Sequence, residues 1–188
     1  MGQSNLWQVG LEAVGGTILA ADEALSRAMN AAARRVSIGP PVVGRLASWL
    51  AGLEVLLMLI LGLAGRRRSA ASMLGAVGLV YLGSEVLGRV WPRQRPFARL
   101  SEVQVLTPHS PERSFPSRHV ASGLAMAVVG GQAHPRLGTT MAAVAWLLGV
   151  SRVAAGLHYP SDVLGGAFLG SAIGRLNLRV GHARRRRS

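Results

Sequence analysis

The sequence predicts an all-α integral membrane protein, a bundle of five to six transmembrane helices with an N-terminal amphipathic interfacial segment. The first observation behind this prediction is a set of five apolar segments, each near the ~20 residues that a helix needs to cross the hydrocarbon core. They are about Leu46–Ala64, Ser69–Leu87, Pro116–Ala133, Leu137–Gly156 and Pro160–Leu178. The second is their content of Gly, Ala and Ser, which lets membrane helices approach closely. A soluble helical protein with five such segments would have too little polar surface.

The N-terminal region differs from the rest of the chain and supplies the third observation. Leu6–Ala21 is apolar apart from Gln8, Glu12 and Thr17, so it is either a sixth span or interfacial, and we favour the interfacial interpretation. One face of the following helix is apolar and the other polar. The apolar face holds Leu25, Ala28, Met29, Ala32 and Val36, and the polar face holds Arg27, Asn30 and Arg34.

The break Gly39-Pro40-Pro41 separates this region from the first clear span. We therefore divide the chain into an N-terminal interfacial region (1–40), a transmembrane domain (41–180) and a basic cytoplasmic tail (181–188). No secretory signal is apparent at the start of the chain, because the first residues lack a basic segment.

Charge and composition exclude several classes of function. The 188 residues carry a net charge of +13, and all 21 basic residues other than histidine are arginines. These arginines cluster at the ends of apolar segments rather than on one amphipathic face, which argues against nucleic acid as a partner and favours membrane lipids. The absence of cysteine excludes disulfides, thiolate metal sites and cysteine nucleophiles.

The basic clusters also predict the orientation. Arg66–Arg68, His134–Arg136 and Arg184–Arg187 lie at alternate turns and can share one side, which the positive-inside rule assigns to the cytoplasm. The connections Gly88–Phe115 and Leu157–Tyr159 then face outward from a bacterial cytoplasmic membrane. The first of these connections holds five arginines, and we interpret it as an anion-binding loop.

The second outward connection carries a histidine and a carboxylate. Pro160 suits the first turn of the last helix, so Asp162 lies one turn from His158. A carboxylate there can accept a proton from one imidazole nitrogen and leave the other free to attack phosphorus. Arg152 lies six residues before His158, at a depth where a guanidinium needs a partner, and a phosphate fits. Taken singly, a capping Asp and a snorkelling Arg explain these residues equally well.

Two further outward segments complete the pattern. Ser114-Phe115-Pro116-Ser117-Arg118-His119 opens a helix, whose free backbone N–H groups at 117–119 form an anion site beside a proton donor, His119. The loop before it carries arginines that can neutralise a phosphate or diphosphate, or bind lipid headgroups. They are Arg89, Arg93, Arg95 and Arg99. Three outward segments thus each hold part of one phosphoryl-transfer site.

These residues resemble the motifs of the type 2 phosphatidic acid phosphatase superfamily, KxxxxxxRP, PSGH and SRxxxxxHxxxD. The third motif is matched in full by Ser151, Arg152, His158 and Asp162. The second is matched with Arg118 where glycine is usual, and the first only at Arg95-Pro96. Gly88 occupies the usual lysine position, so either Arg89 or Arg93 takes that role. Within the superfamily, the segment 88–97 is similar to undecaprenyl-diphosphate phosphatases of the bacitracin-resistance type.

The resemblance implies a metal-independent lipid phosphatase without a cofactor, in which His158 is the nucleophile, Asp162 orients it and His119 transfers protons. Phosphate is then held by Arg95, Arg152, Ser117 and Arg118, with Arg89 and Arg93 as further candidates. The implied substrate is a polyprenyl diphosphate. Phosphatidate, phosphatidylglycerophosphate and polyprenyl-linked sugar phosphates stay open, as does a non-catalytic lipid-phosphate binder or transporter. A vanadium haloperoxidase is disfavoured by the predicted spans.

Overall fold

The computed structural model describes residues 4–35 and 39–185, and every regular element in these ranges is a helix, which confirms the all-α prediction. Val36, which the sequence places on the apolar face of the first helix, and the last three residues of the basic tail lie outside these ranges. The helices are α1 (Ser4–Arg35), α2 (Gly39–Leu63), α3 (Arg67–Val90), α4 (Pro96–Arg99), α5 (Arg118–Ala133), α6 (Pro135–Ala154) and α7 (Pro160–Arg185).

Five of these helices, α2, α3, α5, α6 and α7, coincide with the five predicted apolar segments. By length and composition, two of the described helices can each cross a membrane, α3 and α6, and α2 contains a shorter apolar stretch, Ser48–Leu63. Helix α5 has only 16 residues, and α7 carries Asp162, Arg175 and Arg179. The number of five to six spans therefore stays a prediction.

The interior of the bundle is built around α5, which packs against α3, α6 and α7. Its small and medium side chains meet Met73 and Val80 of α3 and Met141 of α6, all fully buried. The outer surface is also apolar, since Leu63 is 89% exposed and Phe168 is 80% exposed. An apolar exterior around a packed helical interior is the pattern of a protein surrounded by lipid.

Glycines bring α7 unusually close to α5. Gly166, Gly170 and Gly174 recur every four residues along the face of α7 that meets α5. A Cβ on Gly166 would stand 2.5 Å from the carbonyl oxygen of Ser117, and one on Gly170 would overlap the carbonyl oxygen of Ala121. The first turns of both helices are thereby joined, and the Ser117 N–H donates to the Asp162 carbonyl at 3.0 Å.

Helix α1 turns its polar face towards the bundle. Asp22, Ser26 and Asn30 are buried along one side of the helix, whereas Leu25 is 51% exposed. Asn30, which the sequence pattern places on the polar face, is fully buried and donates to two backbone carbonyls. The polar side therefore satisfies backbone groups of the bundle, and the apolar side faces outward.

The two ends of the bundle differ in chemistry. Residues 65–69 and 132–133 and, from α7, residues 177, 178 and 181 line a cavity of about 560 Å³, so that Arg66–Arg68 lie on its wall. The long connection between α4 and α5 and the turn between α6 and α7 meet at the opposite end, where Phe97 and Leu106 donate backbone hydrogen bonds to Gly156 and Ala155. The residues that the motifs single out gather at this second end.

Candidate active site

The turn that carries His158 is shaped by Gly156. Helix α6 ends with Gly156 N–H donating to Val153 O at 2.9 Å and Leu157 N–H donating to Arg152 O at 3.1 Å. This is a Schellman ending, in which the residue after the cap adopts the left-handed region, and Gly156 has φ +76°. A Cβ there would also lie 2.8 Å from Val103. The chain consequently reverses sharply, and His158 follows two residues later at a fixed place.

The imidazole of His158 is held by a carbonyl on one side and faces Arg95 on the other. Its Nδ1 lies 2.7 Å from Ser114 O, and its Nε2 lies 3.4 Å from the Arg95 guanidinium. The carbonyl can only accept, which assigns the proton to Nδ1 and the free lone pair to Nε2. Burial lowers the pKa of His158 to about 4, against the opposing effect of Asp162, so the ring is neutral at physiological pH.

Asp162 lies beside this histidine, but its contact with the ring is longer than the direct hydrogen bond that the sequence predicts. Its Oδ2 is 3.8 Å from His158 Nδ1 and accepts instead from the Tyr159 N–H at 2.8 Å. Ser114 is therefore the direct partner of the imidazole proton. The carboxylate fixes the backbone of the turn and supplies negative charge beside the ring. The motif spacing could not show this, because the Ser114 carbonyl comes from a distant segment.

Two buried arginines lie beside the histidine. Arg95 is 5% exposed, and its guanidinium donates to Ser110 O at 2.8 Å and to Leu157 O at 2.7 Å. Burial lowers the pKa of Arg95 to about 10, so it stays charged at neutral pH. Arg152 is 4% exposed, contacts His109 Nε2 at 3.0 Å, and leaves its Nε without a hydrogen-bond partner. Within the described ranges, neither guanidinium has a carboxylate within ion-pair distance.

The start of α5 adds donors on the same side. The Ser117 hydroxyl is fully buried and has no hydrogen-bond partner. The Ser117 N–H, which the sequence predicts to be free, is taken by the Asp162 carbonyl. The next N–H groups, of Arg118 and His119, have no acceptor within the helix by virtue of their position. His119 lies half-buried, close enough to Arg152 and His158 to interact with them electrostatically.

Arg93, one of the predicted phosphate ligands, is committed elsewhere. Its Nη1 lies 2.7 Å from Asp162 Oδ1, and its Nη2 lies 2.8 Å from Asp22 Oδ2. The guanidinium also covers the ring of Tyr159, with its central carbon 3.9 Å from the ring centroid. Burial opposes its charge, but the two carboxylates outweigh burial and raise the pKa of Arg93. Arg93 therefore supports Asp162 and is not a free cation for a phosphate.

Other arginines line the mouth of the site. A pocket of about 350 Å³ is bordered by Arg95, His109, Glu112, Arg113 and Arg118. Arg118 is exposed and lies over the ring of Tyr81 at 5.6 Å. Arg89 borders a separate, adjoining pocket and pairs with Glu85 at 3.2 Å.

Several of these residues are absent from the sequence prediction. They are Asp22, His109, Arg113 and Ser114. His109 and Arg113 belong to the same outward loop as Arg95. Their place in this predicted anion-binding loop was enough to make them candidate site residues. Asp22 and the Ser114 carbonyl carried no comparable signal.

In the described part of the chain, no three His, Asp or Glu side chains are grouped so that they could hold a metal ion.

Curated relatives match most of the chain. A bacitracin transport permease protein BcrC of Bacillus licheniformis is 29% identical over 148 residues, 77% of this chain and 72% of the relative. The undecaprenyl-diphosphatase BcrC of Bacillus subtilis is 34% identical over 109 residues, 58% of this chain and 55% of that protein. A decaprenylphosphoryl-5-phosphoribose phosphatase of Mycobacterium tuberculosis is 38% identical over 135 residues, 68% of this chain and 73% of the relative.

Solved structures share the arrangement of the helices. The crystal structure of Aquifex aeolicus LpxE superposes with a TM-score of 0.71 at 27% identity, covering 82% of this chain and 93% of the other. A transmembrane PAP2-type phosphatidylglycerolphosphate phosphatase of Bacillus subtilis gives 0.68 at 25% identity, covering 89% and 87%. The PAP2 superfamily model matches residues 69–186, a segment that contains all three motifs. The chain thus belongs to the PAP2 superfamily, and it is a phosphoric ester hydrolase.

Proposed function

We propose that this enzyme removes the terminal phosphate of a polyprenyl diphosphate, such as undecaprenyl diphosphate, at the extracytoplasmic face of the membrane. The observation that carries the proposal is a pair of buried guanidinium groups, Arg95 and Arg152, beside the neutral imidazole of His158. Buried cations need a counter-charge. A substrate phosphate supplies one, and it also meets the unpartnered donors Arg152 Nε and Ser117 Oγ.

In the proposed reaction, His158 Nε2 attacks the terminal phosphorus in line. The P–N bond forms while the P–O bond to the lipid monophosphate breaks, and His119 protonates the leaving oxygen. A water molecule, deprotonated by His119, then attacks the phosphohistidine and releases inorganic phosphate. Arg95, Arg152 and Ser117 hold the equatorial oxygens throughout. Positioning and charge neutralisation supply most of the catalysis in phosphoryl transfer, and arginine can provide both without a metal or cofactor.

A second phosphate has a place in the pocket at the mouth of the site. Arg113 and Arg118 border it alongside Arg95, and both are exposed. Arg113 and Arg89 share the Glu85 carboxylate, at 2.9 Å and 3.2 Å, but Arg89 lies outside this pocket, so we assign it no contact with the substrate. The similarity to the undecaprenyl-diphosphatase of B. subtilis supports a diphosphate as the group bound there.

A polyprenyl-linked sugar phosphate is the second candidate substrate, because the M. tuberculosis relative, a decaprenylphosphoryl-5-phosphoribose phosphatase, is 38% identical. In that case the mouth of the pocket receives a phosphorylated sugar. A glycerolipid phosphate is a further alternative, supported by the phosphatidylglycerolphosphate phosphatase among the similar structures. A transporter without catalysis is disfavoured, since anion binding alone requires neither His158 nor His119.

We further propose that residues 1–40 lie at the membrane interface and that residues 41–180 form the catalytic bundle, which crosses the bacterial cytoplasmic membrane five times; a sixth span would have to come from residues 6–21. The tail 181–188 is then cytoplasmic. The apolar exterior of the bundle and the collection of Arg66–Arg68 with the end of α7 at one end support this arrangement.

The experiment that tests the proposed function measures phosphate release by the purified protein in detergent with EDTA present. Undecaprenyl diphosphate, phosphatidate, phosphatidylglycerophosphate and a polyprenyl-linked sugar phosphate are compared. We expect the highest kcat/KM for the diphosphate and no turnover by the His158→Ala variant, with an unchanged melting temperature. Preference for another lipid would contradict the substrate assignment. Retention of more than half of the wild-type rate by His158→Ala would contradict the nucleophile, and loss of activity in EDTA that Mg²⁺ restores would contradict the metal-free reaction.

A further inference from the structure

Helix α1 lies along the turn that carries His158 and holds both ends of it. Asn30 donates through Nδ2 to Ala154 O at 2.9 Å and to Gln104 O at 2.8 Å, and its Oδ1 accepts from Gln104 N–H at 3.0 Å. Two helical turns earlier, Asp22 Oδ1 accepts from the Ser161 N–H at 2.9 Å. Eight residues of helix span about 12 Å. The segment from Ala154 to Ser161 is therefore fixed from one side by a single rigid element.

The contact of Asp22 with Arg93 reaches the reacting histidine through one more residue. Asp22 is 3% exposed and binds Arg93 Nη2 at 2.8 Å, while Nη1 of the same guanidinium lies 2.7 Å from Asp162 Oδ1. The hydroxyl of Ser161 is within hydrogen-bond distance of both Asp22 and Arg93. Asp162 in turn lies 3.8 Å from His158 Nδ1. Asp22, Arg93 and Asp162 thus form a continuous chain that ends beside the imidazole.

The charges in this chain explain why two carboxylates share one guanidinium. With Arg93 and Asp162 alone, the pair would be neutral, and its field at His158 would be weak. Asp22 adds a second negative charge, so the group of three carries a net charge of −1 next to a ring that becomes positive when it is phosphorylated. A charge in a buried site acts strongly on its neighbours because little water screens it.

We propose that Asp22 is a positioning residue of the reaction, which acts through Arg93 to fix the orientation of Asp162 and keep negative charge beside His158. The inference rests on the proposed role of His158 as the nucleophile. It assigns a part in the reaction to α1, which lies before the segment 69–186 that the family model matches. Asp22 lies next to neither Arg95 nor Arg152, so it does not contribute to holding the phosphate.

The test compares Asp22→Asn with Glu23→Gln, its matched neighbour, which pairs on the surface with Arg27 and Arg99. Turnover of p-nitrophenyl phosphate and of undecaprenyl diphosphate is measured in detergent. We expect Asp22→Asn to lower kcat about 10-fold to 100-fold. Residues that orient a metal-bound histidine in other enzymes have effects of this size, and Asp22 orients His158 in a comparable, indirect way. KM stays within about twofold because Arg95 and Arg152 are untouched. Glu23→Gln keeps the wild-type kcat and KM.

A double-mutant cycle separates this role from a structural one. If Asp22 acts mainly through Arg93, replacing Asp22 by Asn in the Arg93→Gln background lowers kcat by much less than the same replacement in the wild type. Additive losses, or an Asp22→Asn variant with wild-type kcat, would overturn the proposal. So would a loss of kcat that follows only from a lowered melting temperature. Arg93→Lys is the second variant should Asp22→Asn not fold, and a wild-type kcat in Arg93→Lys would equally overturn it.

The generic ester keeps the two proposals distinguishable. A wild-type enzyme that cleaves p-nitrophenyl phosphate but does not prefer the lipid diphosphate contradicts the proposed substrate. The comparison between Asp22→Asn and Glu23→Gln is then still decided on the generic ester, because the reacting phosphorus and the histidine are the same.

Discussion

At the scale of single residues, the site is organised by which polar groups have partners and which do not. Arg93 is saturated by carboxylates, whereas Arg95 and Arg152 are buried with carbonyls and a histidine as partners. A buried cation that lacks a counter-ion favours an anionic ligand, whereas a cation already paired with carboxylates does not. This difference, rather than the number of arginines, separates the residues that can bind phosphate from those that support the site.

The burial of His158 leads to a prediction about pH. Its pKa in the folded protein is about 4, below the ordinary value of 6.5, since burial disfavours the charged ring. The folded state therefore binds this proton less readily than the unfolded state. As far as His158 is concerned, the free energy of unfolding has its full value above about pH 6.5 and decreases as the pH falls towards 4. The reactive neutral imidazole should likewise persist down to about pH 4.

We expect the enzyme at pH 5.5 to retain at least half of its kcat/KM at pH 7, after correction for ionisation of the substrate phosphate. The measurement is a profile of kcat/KM from pH 4 to 8, with the ionisation of the substrate followed by phosphorus NMR in the same micelles. A corrected acid limb centred near 6.5, the ordinary pKa of histidine, would show that His158 is not desolvated in the working enzyme.

The residues that the sequence identifies and those that it misses differ in a physical way. His158, Asp162 and Arg152 lie on one short segment, so their spacing alone brings them together. Arg93 and Arg95 are two residues apart on an extended stretch, and spacing cannot tell which one meets a carboxylate. That choice depends on Asp22, more than 70 residues away in the chain. Pairings made by the docking of a distant helix leave no local pattern.

At the scale of helices, the contact between α5 and α7 determines the geometry of the site, because it joins Ser117 to Asp162. We expect Gly170→Ala to lower the melting temperature by several degrees, which corresponds to the roughly 1–3 kcal/mol that overpacking costs. The added methyl overlaps the carbonyl oxygen of Ala121, and backbone cannot move aside as a side chain can. Activity should fall together with stability.

Gly78→Ala is the control for this substitution. Gly78 also lies within a helix, α3, but a Cβ there meets nothing within 4 Å. Alanine is the better helix former, so this variant should melt at the wild-type temperature or slightly above it. Equal melting temperatures for the two variants in the same detergent would mean that α5 and α7 are not in close contact in solution.

The helix boundaries show which helices can be predicted from hydropathy and which cannot. The five apolar segments appear as α2, α3, α5, α6 and α7, since long apolar runs in a helical context have no other stable arrangement in lipid. Helix α1 is continuous from Ser4 to Arg35, although the sequence suggests two parts of different character. The role of its polar stripe can be recognised only in the folded structure, where the stripe contacts backbone carbonyls and Arg93. The short α4 depends on contacts such as that of Phe97 N–H with Gly156 O.

At the scale of the whole molecule, the basic cluster Arg66–Arg68 lies at one end of the bundle, and the candidate catalytic groups among the described residues lie at the other. Arg66–Arg68 surround the larger cavity at the first end, and the loop with Arg95 and His109 closes the second. The alternation of basic clusters along the sequence predicts this separation, because each pass through the bundle exchanges one end for the other. Which end faces the cytoplasm is a matter of insertion, which the positive-inside rule governs.

The chain contains no cysteine, which makes its orientation directly measurable. Glu112 is exposed at the catalytic end and Ala64 is exposed at the opposite end, so single Glu112→Cys and Ala64→Cys variants report the two sides. With a membrane-impermeant maleimide, we expect Glu112→Cys to be labelled in intact cells and Ala64→Cys only after permeabilisation. The wild-type chain controls for unspecific labelling. The reverse pattern would place the catalytic end in the cytoplasm, where a lipid diphosphate released outside could not reach it without prior translocation.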